Sequence, residues 1–222
     1  MNNALKFVMA LTVTILLMLA FRALAFTVFT VRGTVLEPCL TDGDRVLVNR
    51  WSYGLRTGGG GMFRYVRWAA SPVRRGDIVV FNSPADTSRA VRRREVMAYR
   101  CAACPGDTVD TAAGAVVMPG RSVECVVDSA NVSLLCHIYN MYEGREAVVR
   151  HGKLYVGGRQ AVSARFANDY YWLEPMAAGA ERKEAAGMLV PETHVIGRVQ
   201  MLLYSTDRGR LLPRVQVRLK PL

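Results

Sequence analysis

From Phe7 to Phe21 the chain is apolar at every position except Thr12 and Thr14, and after Arg22 the apolar character resumes from Ala23 to Val31. A membrane-spanning helix needs roughly 20 apolar residues. The first stretch reaches that length only by borrowing Leu5 or residues beyond Arg22, whose long side chain can extend to the interface. A cleaved signal peptide has a similar basic start and apolar centre, but no small-x-small motif closes this run convincingly. The sequence therefore predicts an uncleaved N-terminal anchor over residues 1–31 and a body over residues 32–222. Lys6 and the terminal amine lie on one side of the run, and Arg22, Arg32 and many further arginines lie on the other. Because the positive-inside rule discounts long translocated domains, charge alone leaves the side of the body open.

Beyond the anchor there is enough apolar material for a core. Of the 222 residues 51% are hydrophobic, which excludes a disordered tail or a collagen-like repeat. The 29 Lys and Arg outnumber the 18 Asp and Glu, for a formal charge of +11. Only four of those cations are lysines, Lys6, Lys153, Lys183 and Lys220, and the other 25 are arginines. A mechanism that needs a lysine has few to choose from. Arg89, Arg92, Arg93, Arg94 and Arg100 are clustered and could contact phosphates, but no nucleic-acid motif accompanies them. A basic surface facing anionic lipid, or plain solvation, is the simpler account, so the expected partner is membrane lipid and not nucleic acid.

After residue 32 the pattern is one of short strand-like runs: Arg45 to Val48, Ile78 to Phe81, Glu124 to Val127, Lys153 to Val156 and Val195 to Leu203. Turn signals such as Asp42-Gly43-Asp44, Arg75-Gly76-Asp77, Pro105-Gly106-Asp107 and Gly157-Gly158 bound them. The predicted class is mainly β, an antiparallel sandwich or barrel-like body, with one soluble helix over Ala177 to Met188. Gly58 to Gly61 lack the Gly-Lys-Ser/Thr ending of a phosphate loop and read as a connection, with Trp51, Phe63, Tyr65 and Trp68 placed to rest at a bilayer interface. Five cysteines make an odd count. Cys101-x-x-Cys104 has no second ligand pair for zinc and precedes a turn instead of a helix that would acidify a thiol. Cys125 and Cys136 flank a predicted loop and can pair in an oxidising compartment; buried or unpaired thiols are the plainer alternative. His137, His151 and His194 stand apart and read as structural. No metal or cofactor is expected.

Several blocks, taken in order, carry a resemblance. They are Val35-Leu36-Glu37-Pro38-Cys39-Leu40 ahead of Asp42-Gly43-Asp44, Tyr53-Gly54-Leu55-Arg56, and Arg74-Arg75-Gly76-Asp77-Ile78-Val79-Val80-Phe81. Arg100 with Pro105-Gly106-Asp107, Lys153-Leu154-Tyr155-Val156, and Val190-Pro191-Glu192-Thr193-His194-Val195-Ile196-Gly197 follow. With the apolar N-terminus, this chain resembles the type I signal peptidases from residue 22 to about residue 203. The resemblance implies a membrane-anchored serine protease with a serine nucleophile and a lysine base, a β-rich body outside the cytoplasmic membrane, and preprotein signal peptides as substrate.

The positions that would carry the chemistry differ. The family's nucleophilic serine stands three residues before the proline, which is Val35 here, and its lysine falls on Tyr99, directly before Arg100. Valine has no attacking atom. A buried lysine can lose its proton near neutrality, whereas a tyrosine hydroxyl is already protonated there and an arginine stays charged. Between Tyr171 and Pro191 the family's supporting residues are replaced by Pro175-Met176-Ala177-Ala178 and Glu181-Arg182-Lys183-Glu184-Ala185. Thr34 should face away from position 35's outlook in an extended segment, and Cys39 has no evident base. None of the four lysines matches the base position.

The reading is a catalytically inactive signal-peptidase homologue that binds or assists the processing of signal peptides, with an active peptidase in the same membrane as a further partner. By the resemblance, its groove is lined by Phe29, Val31 and Ala98 beside Val35 and Tyr99, unless Val35 and Tyr99 simply pack together as core. The alternatives are an active signal peptidase with a nonstandard nucleophile and, more remotely, a basic membrane-surface binder.

Overall fold

The computed structural model describes residues 3–32, 36, 39–57, 66–68, 71–85, 90–111, 114–176 and 187–205, with the side chains at 20–24, 55–57, 66–68, 92 and 111 outside that description. Val35, Thr34, the Gly58 to Gly61 loop and most of the predicted helix at 177–188 therefore lie outside the described residues. Met188, expected to end that helix, is already in a strand.

Helix α1 (Asn3–Ala25) leads without a break into strand β1 (Phe26–Thr30). The apolar run that resumes at Ala23 is thus divided: its first residues end a helix and the rest enter the sheet. Among the described residues no helix is long and apolar enough to cross a membrane. This differs from the spanning helix predicted by sequence.

Strand β2 (Arg45–Asn49) returns antiparallel to β1, and β3 (Leu55–Thr57) pairs with β4 (Val66–Trp68) as a separate hairpin. Next come β5 (Ile78–Asn82) and β6 (Val96–Ala103), also antiparallel. Every residue of β5 is buried, which is why it reads as an unbroken apolar run and not as an alternation. From there the chain builds an excursion: β7 (Thr108–Thr111) with β8 (Gly114–Val117), β9 (Cys125–Val126), helix α2 (Val132–Met141), the meander β10 (Ala147–Arg150), β11 (Lys153–Val156) and β12 (Arg159–Ala161), and β13 (Ser163–Ala164), which pairs with β9. It then rejoins the main sheet as β14 (Tyr170–Glu174), β15 (Met188–Pro191) and β16 (Val195–Tyr204).

The main sheet has seven strands in the order β1-β2-β16-β5-β6-β14-β15, all neighbours antiparallel. The expected mainly β, antiparallel class is therefore what the chain adopts, as a curled sheet with few helices. Apolar clusters cover both faces of the sheet. Tyr53, Phe81, Tyr99, Tyr171 and Leu173 pack together on one side of β5 and β6, while Val31, Leu36, Val46, Val48, Val80 and Ala98 pack on the other. A third cluster, Leu135, Ile138, Leu154, Phe166 and Tyr170 among its members, fills the excursion.

Two local expectations are corrected here. The segment between Cys125 and Cys136, read as a loop, contains the start of α2: Asp128 Oδ1 accepts from the backbone N–H groups of Ala130 and Asn131 at 2.9 and 2.8 Å, starting the turn. Val132, Leu135, Ile138 and Tyr139 then bury one helical face. The strand expected over Glu124 to Val127 shortens to Cys125–Val126.

Candidate functional site

Four antiparallel pairings separate β1 from β6 in the sheet order, so the two strands run in the same direction. β1 is an edge strand with β2 as its partner. On β6, pairing with β14 involves Arg100, Cys101 and Ala103, so among the described residues Val96 to Tyr99 have β5 alone beside them. Curling of the sheet brings these two free edges to one cavity of about 440 Å³. Its walls include Phe29, Val31, Leu36, Val96, Ala98 and Tyr99.

Phe29, Val31 and Ala98, the groove residues expected from the resemblance, are thus brought together with Tyr99, while Val35 lies outside the described residues. Leu36 was not singled out by sequence. It is buried in the same cluster as Val31 and Ala98, and its place in Leu36-Glu37-Pro38, next to the family's nucleophile position, was the signal that could have found it. Arg32 and Glu95, both exposed, also line the cavity, as do Val28, Thr30 and Met97.

Tyr99 itself is a core residue. It pairs with Val79 across the ladder, and its ring meets Phe81 edge-on with centroids 5.5 Å apart. Burial, with Glu95 adding a smaller push, raises its hydroxyl above the ordinary value of 10.0. At neutral pH it is a protonated phenol and a poor collector of protons. Ala98, one residue earlier, belongs to the opposite cluster, as period-2 alternation requires. Among the described lysines, Lys6 sits on α1 and Lys153 on β11, and neither lines the cavity. Cys39 is exposed, in a turn where its N–H donates to Leu36 O at 3.0 Å.

The remaining candidates are accounted for by packing. The thiols of Cys101 and Cys104 lie 3.8 Å apart without a bond, and Cys104 donates to Val73 O at 3.3 Å. Burial lifts both thiols, Cys101 well above its ordinary range, so they are weak nucleophiles. Cys125 and Cys136 are unbonded, and both pack in the cluster of the excursion. His194 is buried, with Nε2 3.0 Å from Arg94 Nη1. A guanidinium only donates, so Nε2 accepts and the ring is held neutral as a structural group. His137 and His151 are exposed. No group of three or more metal-ligating side chains occurs among the described residues.

A curled antiparallel sheet left open, among the described residues, between two like-directed edges, with a cavity of mixed polar and apolar lining in the gap, defines a class of β body that can take an extended segment. The chain belongs to the signal peptidase family: the family model described as Signal peptidase, peptidase S26, matches residues 4–204. It is also similar to Signal peptidase I of Bacillus licheniformis, 27% identical over 122 residues, which is 55% of this chain and 54% of that protein. The chain thus spans about half the length of the curated relative it matches.

Proposed function

We propose that this member of the signal peptidase family binds extended segments of preproteins at the membrane without cleaving them. The observation that carries the reading is the convergence of β1, an edge strand among the described residues, and the Val96–Tyr99 part of β6 on one cavity whose walls include Phe29, Val31 and Ala98. A peptide in that gap adds a strand to each edge, and strand addition needs neither a serine nor a lysine. The lack of catalysis rests on the two vacated positions, Val35 and Tyr99. The phenol of Tyr99, packed against Phe81 and held protonated, has the wrong chemistry for a base.

The reading includes a single-pass anchor with the body outside the cytoplasmic membrane. Helix α1 has 23 residues, about 34 Å at 1.5 Å per residue, against a hydrocarbon core of about 30 Å. Its described apolar side chains, Phe7, Leu16, Leu17 and Met18 among them, are exposed. The hydroxyls of Thr12 and Thr14 return to the carbonyls of Val8 and Ala10 at 2.8 Å, which satisfies them without water. Trp51, partly exposed, follows Arg50, whose N–H donates to Ala25 O at the end of the helix. That position suits an aromatic side chain at the interface. An active signal peptidase in the same membrane is the natural partner for a protein that holds preproteins and does not process them.

The test is direct. Full-length protein in detergent, incubated with a preprotein, is expected to crosslink to it and release no mature product. Cleavage that disappears in Thr34→Ala or Cys39→Ala would establish a nonstandard nucleophile and overturn the proposal. Exposure of Cys39 is the observation that makes this the competing reading.

A further inference from the structure

The geometry points to Cys101 and Cys104 as a modification site, an oxidisable pair that closes into a disulfide at the end of β6 and braces its junction with β14. The two residues stand three apart, and in a regular strand such side chains face opposite sides of the sheet. β6 is not regular there. Leu173 pairs with Cys101 and Trp172 with Ala103, so Ala102 is one extra residue on β6, a β-bulge. The extra residue turns Cys104 back to the face of Cys101, and both pack in the cluster around Tyr99 and Leu173. Their sulfurs end 3.8 Å apart. A disulfide needs about 2.05 Å, so closure asks each sulfur to move by less than about 1 Å. The contacts given up are weak ones, from Cys104 Sγ to Val73 O at 3.3 Å and from Cys101 Sγ to Ala103 O at 3.6 Å. Zinc, the other common use of a Cys-x-x-Cys, needs two further ligands, and no group of three or more metal-ligating side chains forms among the described residues.

Oxidation proceeds by exchange with a disulfide donor. Cys104, the less buried of the two, attacks a donor sulfur as its thiolate; the donor's S–S bond breaks and its first thiol leaves. Cys101 then attacks the Cys104 sulfur of the mixed disulfide and releases the second donor thiol. The protein gives up two electrons and two protons, and the donor receives them as two thiols. The bond would brace because each cysteine is already tied to a different turn. Cys101 exchanges backbone bonds with the Arg75-Gly76-Asp77 turn, its N–H donating to Asp77 O and its carbonyl accepting from Gly76, both at 2.8 Å. The Cys104 N–H donates to Asp107 Oδ2 at 2.8 Å, within the Pro105-Gly106-Asp107 turn. The inference goes beyond peptide binding and does not need it; only the supply of oxidant in the cell depends on a body outside the cytoplasm.

For the test, full-length protein in detergent is held for hours with glutathione disulfide at about pH 8.5, where an ordinary thiol is half ionised, then alkylated and digested with trypsin. Cys101 and Cys104 fall in one tryptic peptide, residues 101–121, so the bond reads as that peptide unalkylated and lighter by two hydrogens. This species is expected as the main form, with a melting temperature about 4 °C above that of the reduced protein, as closing a short loop implies. Two alkylated thiols in the peptide, glutathione retained on either, or a crosslink to another cysteine overturns the pairing. A bond that leaves the melt unchanged or lowers it overturns the bracing. Cys104→Ser, melted alongside, should lose the oxidant-dependent shift; a shift that persists belongs to the other cysteines and overturns the bracing as well.

Discussion

Asp77 shows how much of the fold turns on single buried groups. Its Oδ2 accepts from the Tyr53 hydroxyl at 2.9 Å and from the Arg74 backbone N–H at 3.1 Å, and its Oδ1 lies 3.3 Å from Arg198 Nε. Only 6% of Asp77 is exposed. Replacing it by Ala removes an acceptor from the Tyr53 hydroxyl and an ion-pair partner from Arg198, at a cost of about 1–3 kcal/mol. Denaturant unfolding of Asp77→Ala is expected to show that loss with an unchanged slope; a loss under about 1 kcal/mol would mean that Arg198 finds water instead. The Arg75-Gly76-Asp77 turn was legible from its residue types, and Gly76, at φ +92°, supplies the left-handed conformation the turn requires. The partners were not. Tyr53 and Arg198 lie 24 residues before and far beyond Asp77 in the chain, and nothing local to the turn points to either.

At the scale of elements, β16 stitches the sheet by lying between β2 and β5. Its strand character was readable from Val195 to Leu203, but the role of Gly197 was not. A Cβ at that position would come 2.5 Å from the backbone oxygen of Asn49, a contact that backbone on backbone cannot relieve. Glycine here marks a close approach of two strands. Gly197→Ala should push β16 from β2 and cost about 3 kcal/mol or more, visible as a large fall in melting temperature; a melt close to that of the parent protein would show that the two strands can separate without penalty. Helix α2 teaches the converse. Its spacing of Val132, Leu135, Ile138 and Tyr139 was present in the sequence, but the helix is short, has no acidic first turn or basic last turn, and begins on a turn built by Asp128. Asp128 and Asn131 suit a loop as well as a helix start, so the segment between Cys125 and Cys136 reads as a loop.

For the molecule as a whole, the decisive question is where the body sits. If α1 anchors the chain, carbonate washing of membranes should leave the full-length protein in the pellet, and a chain lacking residues 1–25 should appear in the supernatant. Release of the full-length protein by carbonate would remove the single-pass anchor from the proposal, though not the groove. The sequence by itself determined the β-rich class, the places of β2, β5 and β16 in the main sheet, and the family, because each of these is written in residue types and spacings along the chain. Only the tertiary structure decided the cavity. Phe29 and Ala98 are some seventy residues apart, and their meeting depends on the pairing order and curl of five strands, a set of non-local hydrogen bonds that no local pattern encodes. The same folding decided the fate of Tyr99, whose ring turns to Phe81 and the core while its neighbour Ala98 faces the gap, since a strand sends successive side chains to opposite faces.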